Sequence, residues 1–271
     1  MTQTAATQPA TRRTGDLAVR VDGAVCLVKI DRPDKLNAMT RRFWADLRDV
    51  IRQATDDTAV RAMIVTGAGE RAFSAGGDIE SFTALDDLAA KRVFQEDAMA
   101  TFAAVETAPF PVIASVNGLA LGGGCELALA CDIVLAADNA EFGMPEARLG
   151  LVPGYGILRA PEILGRNRAN ALIYGGGRMS ADEALQSGFV TSIHALDDLP
   201  HAAMALGHRI AALSPAALAT GKRVINRHCS AADSDRSVEA LTLLQAGDDA
   251  AEGFRAFLER RPADFKNRAA G

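Results

Sequence analysis

The stretch that most constrains this chain is Ser115 to Glu126, reading S-V-N-G-L-A-L-G-G-G-C-E. A β-branched run after Pro111 precedes it, and Leu127-Ala128-Leu129-Ala130, a good helix-forming sequence, follows. Three consecutive glycines, Gly122, Gly123 and Gly124, thus fall at a strand-to-helix junction and remove every Cβ there. A ligand can approach such a main chain closely, and free N–H groups of the first helical turn can point at it. That helix start favours negative charge, including charge that develops only in a transition state. Glu126 adds a carboxylate within the same turn. Alone, the pattern fits a tight turn with a helix-favouring acid equally well, so it needs a second half.

A chain of 271 residues is expected to form one large domain, or one domain plus an appendage. Chains this long bury about three quarters of their unfolded surface, so the core needs no staples. The net charge is −5 and the basic residues are scattered, which argues against nucleic acid as a partner. Cys26, Cys125, Cys131 and Cys229 show neither a C-x-x-C pair nor zinc spacing, and no signal peptide is evident. They read as reduced thiols of a cytoplasmic protein. No apolar run reaches membrane-spanning length, so no membrane partner is expected. His194, His201, His208 and His228 all lie late in the chain without carboxylates at ligand spacing, and no metal site is expected.

Residues 1–15 have almost nothing to bury and read as a mobile tail. Leu17 to Val21 and Val25 to Ile30 flank Asp22-Gly23, which predicts a β-hairpin. Thr40 can cap a helix in which Phe43, Leu47, Val50, Ile51 and Ala54 form one apolar stripe. Ala62 to Thr66 is a short strand, and Phe73-Ser74-Ala75-Gly76-Gly77-Asp78-Ile79 is a second glycine-rich strand exit. A helix from Leu88 to Glu106 and a strand from Val112 to Val116 lead into the opening stretch, whose helix ends near Asp132, read as its cap or terminator. Ile133 to Ala136 is again strand, and Gly150 to Gly156 is another glycine-bearing loop. A strand–helix unit thus recurs roughly every 50 residues, a spiral of β-β-α turns rather than a doubly wound sheet. Ser180 to Glu183 is a capping box, Phe189 to Ile193 a last strand, and Ser214-Pro215 a helix start. The expected division is a tail (1–15), a catalytic core (16–198) and a helical region (199–271). Those late helices are apolar on more than one face, which predicts an oligomer.

Two glycine-rich exits, at Ala75-Gly76 and Gly122-Gly123, can each donate main-chain N–H groups to a thioester oxygen as it becomes an enolate. Losing one such donor typically costs about 10²–10³ in rate. Glu126 and Glu146 lie 20 residues apart on adjacent units. Paired carboxylates near an enolate can deliver water to one carbon and a proton to its neighbour. Glu146, following Pro145, equally fits a solvated helix-start acid.

Phe73 to Ile79, Val116 to Leu127 and Phe142-Gly143-Met144-Pro145-Glu146, with Arg32-Pro33-Asp34-Lys35-Leu36-Asn37-Ala38 before them, closely resemble the crotonase (enoyl-CoA hydratase/isomerase) family. The motifs run in the family's order from about Ala18 to the C-terminus. The resemblance implies an α/β fold, a superhelix of ββα units with a C-terminal helical region, assembled as trimers or dimers of trimers. It implies that the N–H groups of Ala75 and Gly123 form an oxyanion hole for an acyl-CoA thioester. Glu126 would then be base toward water adding at C3, with Glu146 supplying the proton to C2. Gly76, Gly77, Asp78, Ile79 and Gly122 would line the CoA-binding exits. Lys35, Leu36 and Ala38 would lie near adenine and pantetheine, and Gly154 in a loop ordering the second acid. Phe265 and Lys266 resemble residues that reach the CoA of another subunit.

Isomerases of the family typically lack the acid at the position of Glu126; its presence here favours hydration of a 2-enoyl-CoA, with isomerisation or other acyl-CoA chemistry as the alternative. A scaffold binding CoA esters or RNA is a third reading, but the Arg12-Arg13 and Arg41-Arg42 pairs are too sparse for RNA. Addition of water calls for no cofactor, coenzyme A being part of the substrate. The chain departs from the family's usual small residues at Tyr155, which can reshape the acyl pocket, hydrogen-bond the thioester region, or simply pack.

Overall fold

The computed structural model describes residues 10–83 and 88–226, together with 248, 252, 256, 259–261 and 264. Strands β1 (Arg12–Thr14), β2 (Leu17–Asp22) and β3 (Val25–Ile30) pair antiparallel, with Gly23 at φ 58° turning the second hairpin. The expected hairpin is therefore present, whereas the tail expected over residues 1–15 is too long: Arg12–Thr14 pair with Val19, Ala18 and Leu17 as an edge strand, held by backbone bonds that need no apolar side chains. Helix α1 (Arg41–Asp56) buries Phe43, Leu47, Val50, Ile51 and Ala54, the stripe that a 3.6-residue period predicts, and Trp44 beside them. Thr40 does sit at its N-cap, but makes no capping bond: its hydroxyl donates to Asp16 at 2.9 Å.

From there the chain repeats one motion. A pass consists of β4 (Ala62–Gly67) and β5 (Ala72–Ser74), the short α2 (Ile79–Thr83), and α3 (Leu88–Thr107). The next is β6 (Val112–Val116), β7 (Leu119–Leu121) and α4 (Gly123–Ala130). After it come β8 (Ile133–Ala137), β9 (Glu141–Gly143), α5 (Gly156–Leu164) and α6 (Arg166–Gly175). The first strand of each pass joins a seven-stranded sheet, β1-β2-β3-β4-β6-β8 plus β11 (Ser192–His194). The second joins a four-stranded sheet, β5-β7-β9 plus β10 (Arg178–Ser180). Because β4, β6 and β8 are parallel neighbours, and so are β5, β7 and β9, each pass stacks on the one before. The result is a ββα superhelix. The first pass keeps a trace of the pattern: between β3 and α1, Met39 makes a single parallel bridge to Gly77.

Burial explains the strand sequences. All five residues of β6 and five of the six in β4 are buried, so these strands show apolar runs rather than alternation. One face meets the core between the sheets and helices. The other is covered by α8 (Leu199–Ala211), whose Leu199, Ala203 and Ile210 pack with Val25, Ile64 and Ile113.

Before α8, helix α7 (Ala181–Gln186) opens with the predicted capping box: Ser180 accepts from the Glu183 amide and Glu183 from the Ser180 amide, at 3.2 and 2.8 Å. The strand expected at Phe189 starts later, at Ser192, because the Phe189 and Val190 amides close a turn onto the Ala184 carbonyl. Helix α9 (Pro215–Ile225) starts at Ser214 as expected. It is pinned by Lys222, whose buried ammonium donates to the Val105 and Phe110 carbonyls and pairs with Asp132 at 2.6 Å. Asp132 also accepts from the Val112 amide, so it joins α9 to the core instead of capping α4. Among the described residues, no single helix is long and apolar enough to cross a membrane.

Candidate active site

The superhelix brings three strand exits side by side. The parallel strands β5, β7 and β9 end at Ser74, Leu121 and Gly143, and the chain beyond each carries the candidate residues. Close approach accounts for the glycines. A Cβ on Gly124 would lie 2.3 Å from the Ser74 carbonyl oxygen, and one on Gly76 would lie 2.7 Å from that of Leu121. Gly122 sits at φ 52°, ψ −128°, a region only glycine enters readily, and a Cβ there would stand 3.1 Å from the Glu146 carboxylate.

The loop after β3 is stitched onto the first exit. Leu36 and Asn37 have positive φ, and the buried Asn37 amide donates to the Ala68 and Ala72 carbonyls at 3.0 and 2.7 Å. Arg32 donates to the Ala38 carbonyl and to Asp78, both at 2.7 Å. That pairing holds Asp78 below the usual carboxylate range, so its carboxylate ties loop to exit. Lys35, Leu36 and Ala38 are thereby brought to the strand exit, with Lys35 and Ile79 exposed. Asn117 does the same service at the next exit, accepting from the Gly67 amide and donating to the Gly69 carbonyl.

One assignment changes. The Ala75 amide is spent on the Leu36 carbonyl at 2.9 Å, so it is no free donor. Gly76 donates to the Ser74 hydroxyl, and Asp78 to the Met39 carbonyl. Gly77 alone in this turn has an amide with no acceptor among the described residues. Its neighbours make the bridge to Met39, and the positive φ of Gly76 (94°) swings the Gly77 amide toward the second exit. There it lies 3.8 Å from the point where a Gly123 Cβ would be. Gly123 is the first residue of α4, so its own N–H has no partner within the helix. The adjacent pair of unspent amides is thus Gly77 and Gly123.

The two carboxylates have different surroundings. Glu126 is buried, and its Oε1 accepts from the Tyr155 and Gly156 amides, both at 2.8 Å. Burial raises its pKa and those amides pull against the rise. The loop around Gly154 therefore orders the first acid, not the second. Glu146 follows Pro145 in a short 3-10 turn, Pro145–Leu149, and is half-buried, its Oε2 shut from solvent and without a partner among the described residues. Burial, with Glu126 nearby adding to it, pushes Glu146 up to about 7. Tyr155 packs: its ring is buried and stacks on Phe102 with centroids 4.6 Å apart. Phe265 and Lys266 lie outside the described residues. A cavity of about 900 Å³ opens elsewhere, on the outer face of the larger sheet below α8, and contains neither glutamate.

Sequence reasoning missed Gly77 as the free donor, Arg32 and Asn37 as the ties of the loop, and the amides that hold Glu126. The last had a signal: Gly-Tyr-Gly opening an apolar helix is a donor-rich helix start.

Parallel strand exits that bring two unspent amides to two buried or half-buried carboxylates define a crotonase-type superhelical enzyme. The family model for enoyl-CoA hydratase/isomerase matches residues 20–268. The crotonyl-CoA hydratase of Syntrophomonas wolfei is 37% identical over 246 residues, covering 89% of this chain and 94% of that protein. The short-chain-enoyl-CoA hydratase of Clostridium acetobutylicum is 36% identical, covering 91% and 96%. The crystal structure of enoyl-CoA hydratase from Bacillus anthracis superposes with a TM-score of 0.89 at 32% identity, covering 93% of this chain and all of that one. The chain belongs to the enoyl-CoA hydratase/isomerase family.

Proposed function

We propose that this protein adds water across the 2,3 double bond of a 2-enoyl-CoA thioester. The observation that carries the reading is the unequal pair of carboxylates beside the two free amides. Glu126 has two amide donors on Oε1, which favour its ionised form and leave Oε2 for a reactant. Glu146 has a buried Oε2 without a partner among the described residues and holds its proton to about pH 7. Burial raises both, but only Glu126 has amides working against that rise, and this difference supports Glu126 as base and Glu146 as acid.

In this reading the Gly77 and Gly123 amides receive the thioester oxygen. Glu126 takes a proton from water as its oxygen bonds to C3. The electron pair of the double bond moves onto the thioester oxygen, and the enolate then takes the Glu146 proton at C2. Loss of the conjugated-thioester absorbance of crotonyl-CoA, with 3-hydroxybutyryl-CoA as product, is the expected result. Crotonyl-CoA that binds and is recovered unchanged would contradict it.

The donor pair has its own test. Proline is favoured at a first helical position, and a Cβ at Gly123 meets the Trp44 ring at 3.4 Å and the Gly77 nitrogen at 3.8 Å, with nothing closer. Gly123→Pro is therefore expected to keep the fold while deleting one amide, lowering kcat by about 10²–10³. A folded variant with undiminished kcat would remove Gly123 from the site.

We also propose a homo-oligomer, a trimer or dimer of trimers. Supporting it, Leu149, Leu151, Val152 and Leu158, all within twelve positions after Glu146, expose apolar side chains. Sedimentation of the intact chain as a monomer at micromolar concentration would refute this.

A further inference from the structure

Tyr155 stands at the turn that holds Glu126, yet its ring does not enter the site. The two residues beside it, Gly154 and Gly156, have no side chain with which to anchor that turn. A side chain added at position 156 would displace Met144, whose sulfur lies 2.5 Å from where its Cβ would be. The Tyr155 side chain alone, of these three, runs into the core. Its ring stacks on Phe102 of α3 at 4.6 Å and an interplanar angle of 33°. Phe102 in turn meets Trp44 edge-on at 5.4 Å, and Trp44 lies against Gly123. The phenol oxygen is buried and faces the Glu106 and Arg159 side chains, which pair at 3.1 Å between α3 and α5. Arg159 also donates its amide to the Tyr155 carbonyl at 3.1 Å.

We propose that Tyr155 is a positioning residue for Glu126: its ring, wedged against Phe102, holds the 155–156 amides on the carboxylate oxygen. The assignment of Glu126 as base rests on the hydration reading above; the placement of the amides does not. An N–H bond to a carboxylate favours the charged form, so a turn that drifts off Glu126 leaves a buried carboxylate harder to ionise. Its titration then moves to higher pH. The ionisable groups that interact with Glu126 are Glu146 from the 3-10 turn and Cys125 on α4 itself; Glu106 on α3 and Arg159 on α5 face the Tyr155 phenol, which stays un-ionised because burial pushes it up, and Glu162 on α5 faces Arg159. Strands β5 and β7 present none. Apart from the phenol, none of these groups is altered in the variants below.

The test compares Tyr155→Leu, Tyr155→Phe and Phe102→Leu with the unaltered chain. The Glu126 carboxyl is followed by carbon NMR of glutamate-labelled protein, its signal assigned by its loss in Glu126→Gln. Tyr155→Leu and Phe102→Leu are expected to move the Glu126 titration to higher pH. They should lower kcat by about 10- to 100-fold, with KM little changed, since a misplacement of order 1 Å suffices for that. Tyr155→Phe keeps the ring against Phe102 and is expected to restore both readings, because it is the ring and not the hydroxyl that holds the turn. A Glu126 titration that stays in place in folded Tyr155→Leu would overturn the proposal, whatever happens to thermal stability. So would a shift in Tyr155→Phe equal to that in Tyr155→Leu. Failure of the unaltered chain to hydrate crotonyl-CoA would sink the hydration reading alone, since the titration needs no turnover.

Discussion

Glu146→Gln is expected to lower kcat by about 10²–10⁴-fold, because the amide has no proton to deliver to C2. Glutamine fills the same space over Gly122, so thermal stability should hardly change. The pH dependence follows from the raised pKa. As proton donor, Glu146 must be protonated; at about 7, it is so below neutrality and loses its proton as pH rises through that value. The hydration rate should therefore fall on the alkaline side of neutrality in the unaltered protein. That limb should vanish from the residual activity of Glu146→Gln. Because the two carboxylates influence each other, the observed limb belongs to the pair, and Glu126→Gln should displace it to lower pH by removing a neighbouring negative charge. A rate that climbs steadily through neutral pH would contradict the role of Glu146 as acid.

The second large effect concerns stability. Lys222→Met removes the cation that pairs with Asp132 and leaves two main-chain carbonyls without this donor. Breaking a buried pair from one side typically costs about 3–5 kcal/mol, because the remaining charge is stranded. The Asp132 side chain is 17% exposed and keeps the Val112 amide, so the cost is expected at the lower end of that range. A denaturant titration of Lys222→Met should show a midpoint shift of that size. The double variant Lys222→Met, Asp132→Asn should be less affected than the sum of the single changes, since no unpaired charge remains. An unchanged midpoint in Lys222→Met would mean that α9 is not held to the core in this way.

The local patterns were legible before the structure. Period-3.6 burial in α1, the Asp22-Gly23 hairpin and the Ser180 capping box all depend on residues within a few positions of one another. The spiral could also be read, since three glycine-rich exits recur where three strands end. Nonlocal partners were not legible. Asp132 reads as a helix terminator until Lys222, 90 positions later, arrives beside it. The Ala75 amide reads as free until the Leu36 carbonyl is brought to it. Which amide of A-G-G-D faces Gly123 depends on the positive φ of Gly76, and glycine's own freedom hides that choice. Tyr155 had three open roles, because nothing near it in sequence announces Phe102. Only the superhelix, by setting α3 beside α5, decides in favour of packing.

The central claim is that both carboxylates act, Glu126 on water and Glu146 on C2. The measurement that tests it most directly is turnover of crotonyl-CoA by folded Glu126→Gln, beside the unaltered protein. The account predicts fast hydration by the unaltered chain and a loss of about 10²–10⁴-fold in the variant. Hydration at the unaltered rate by Glu126→Gln would contradict it, leaving Glu146 to work without a partner.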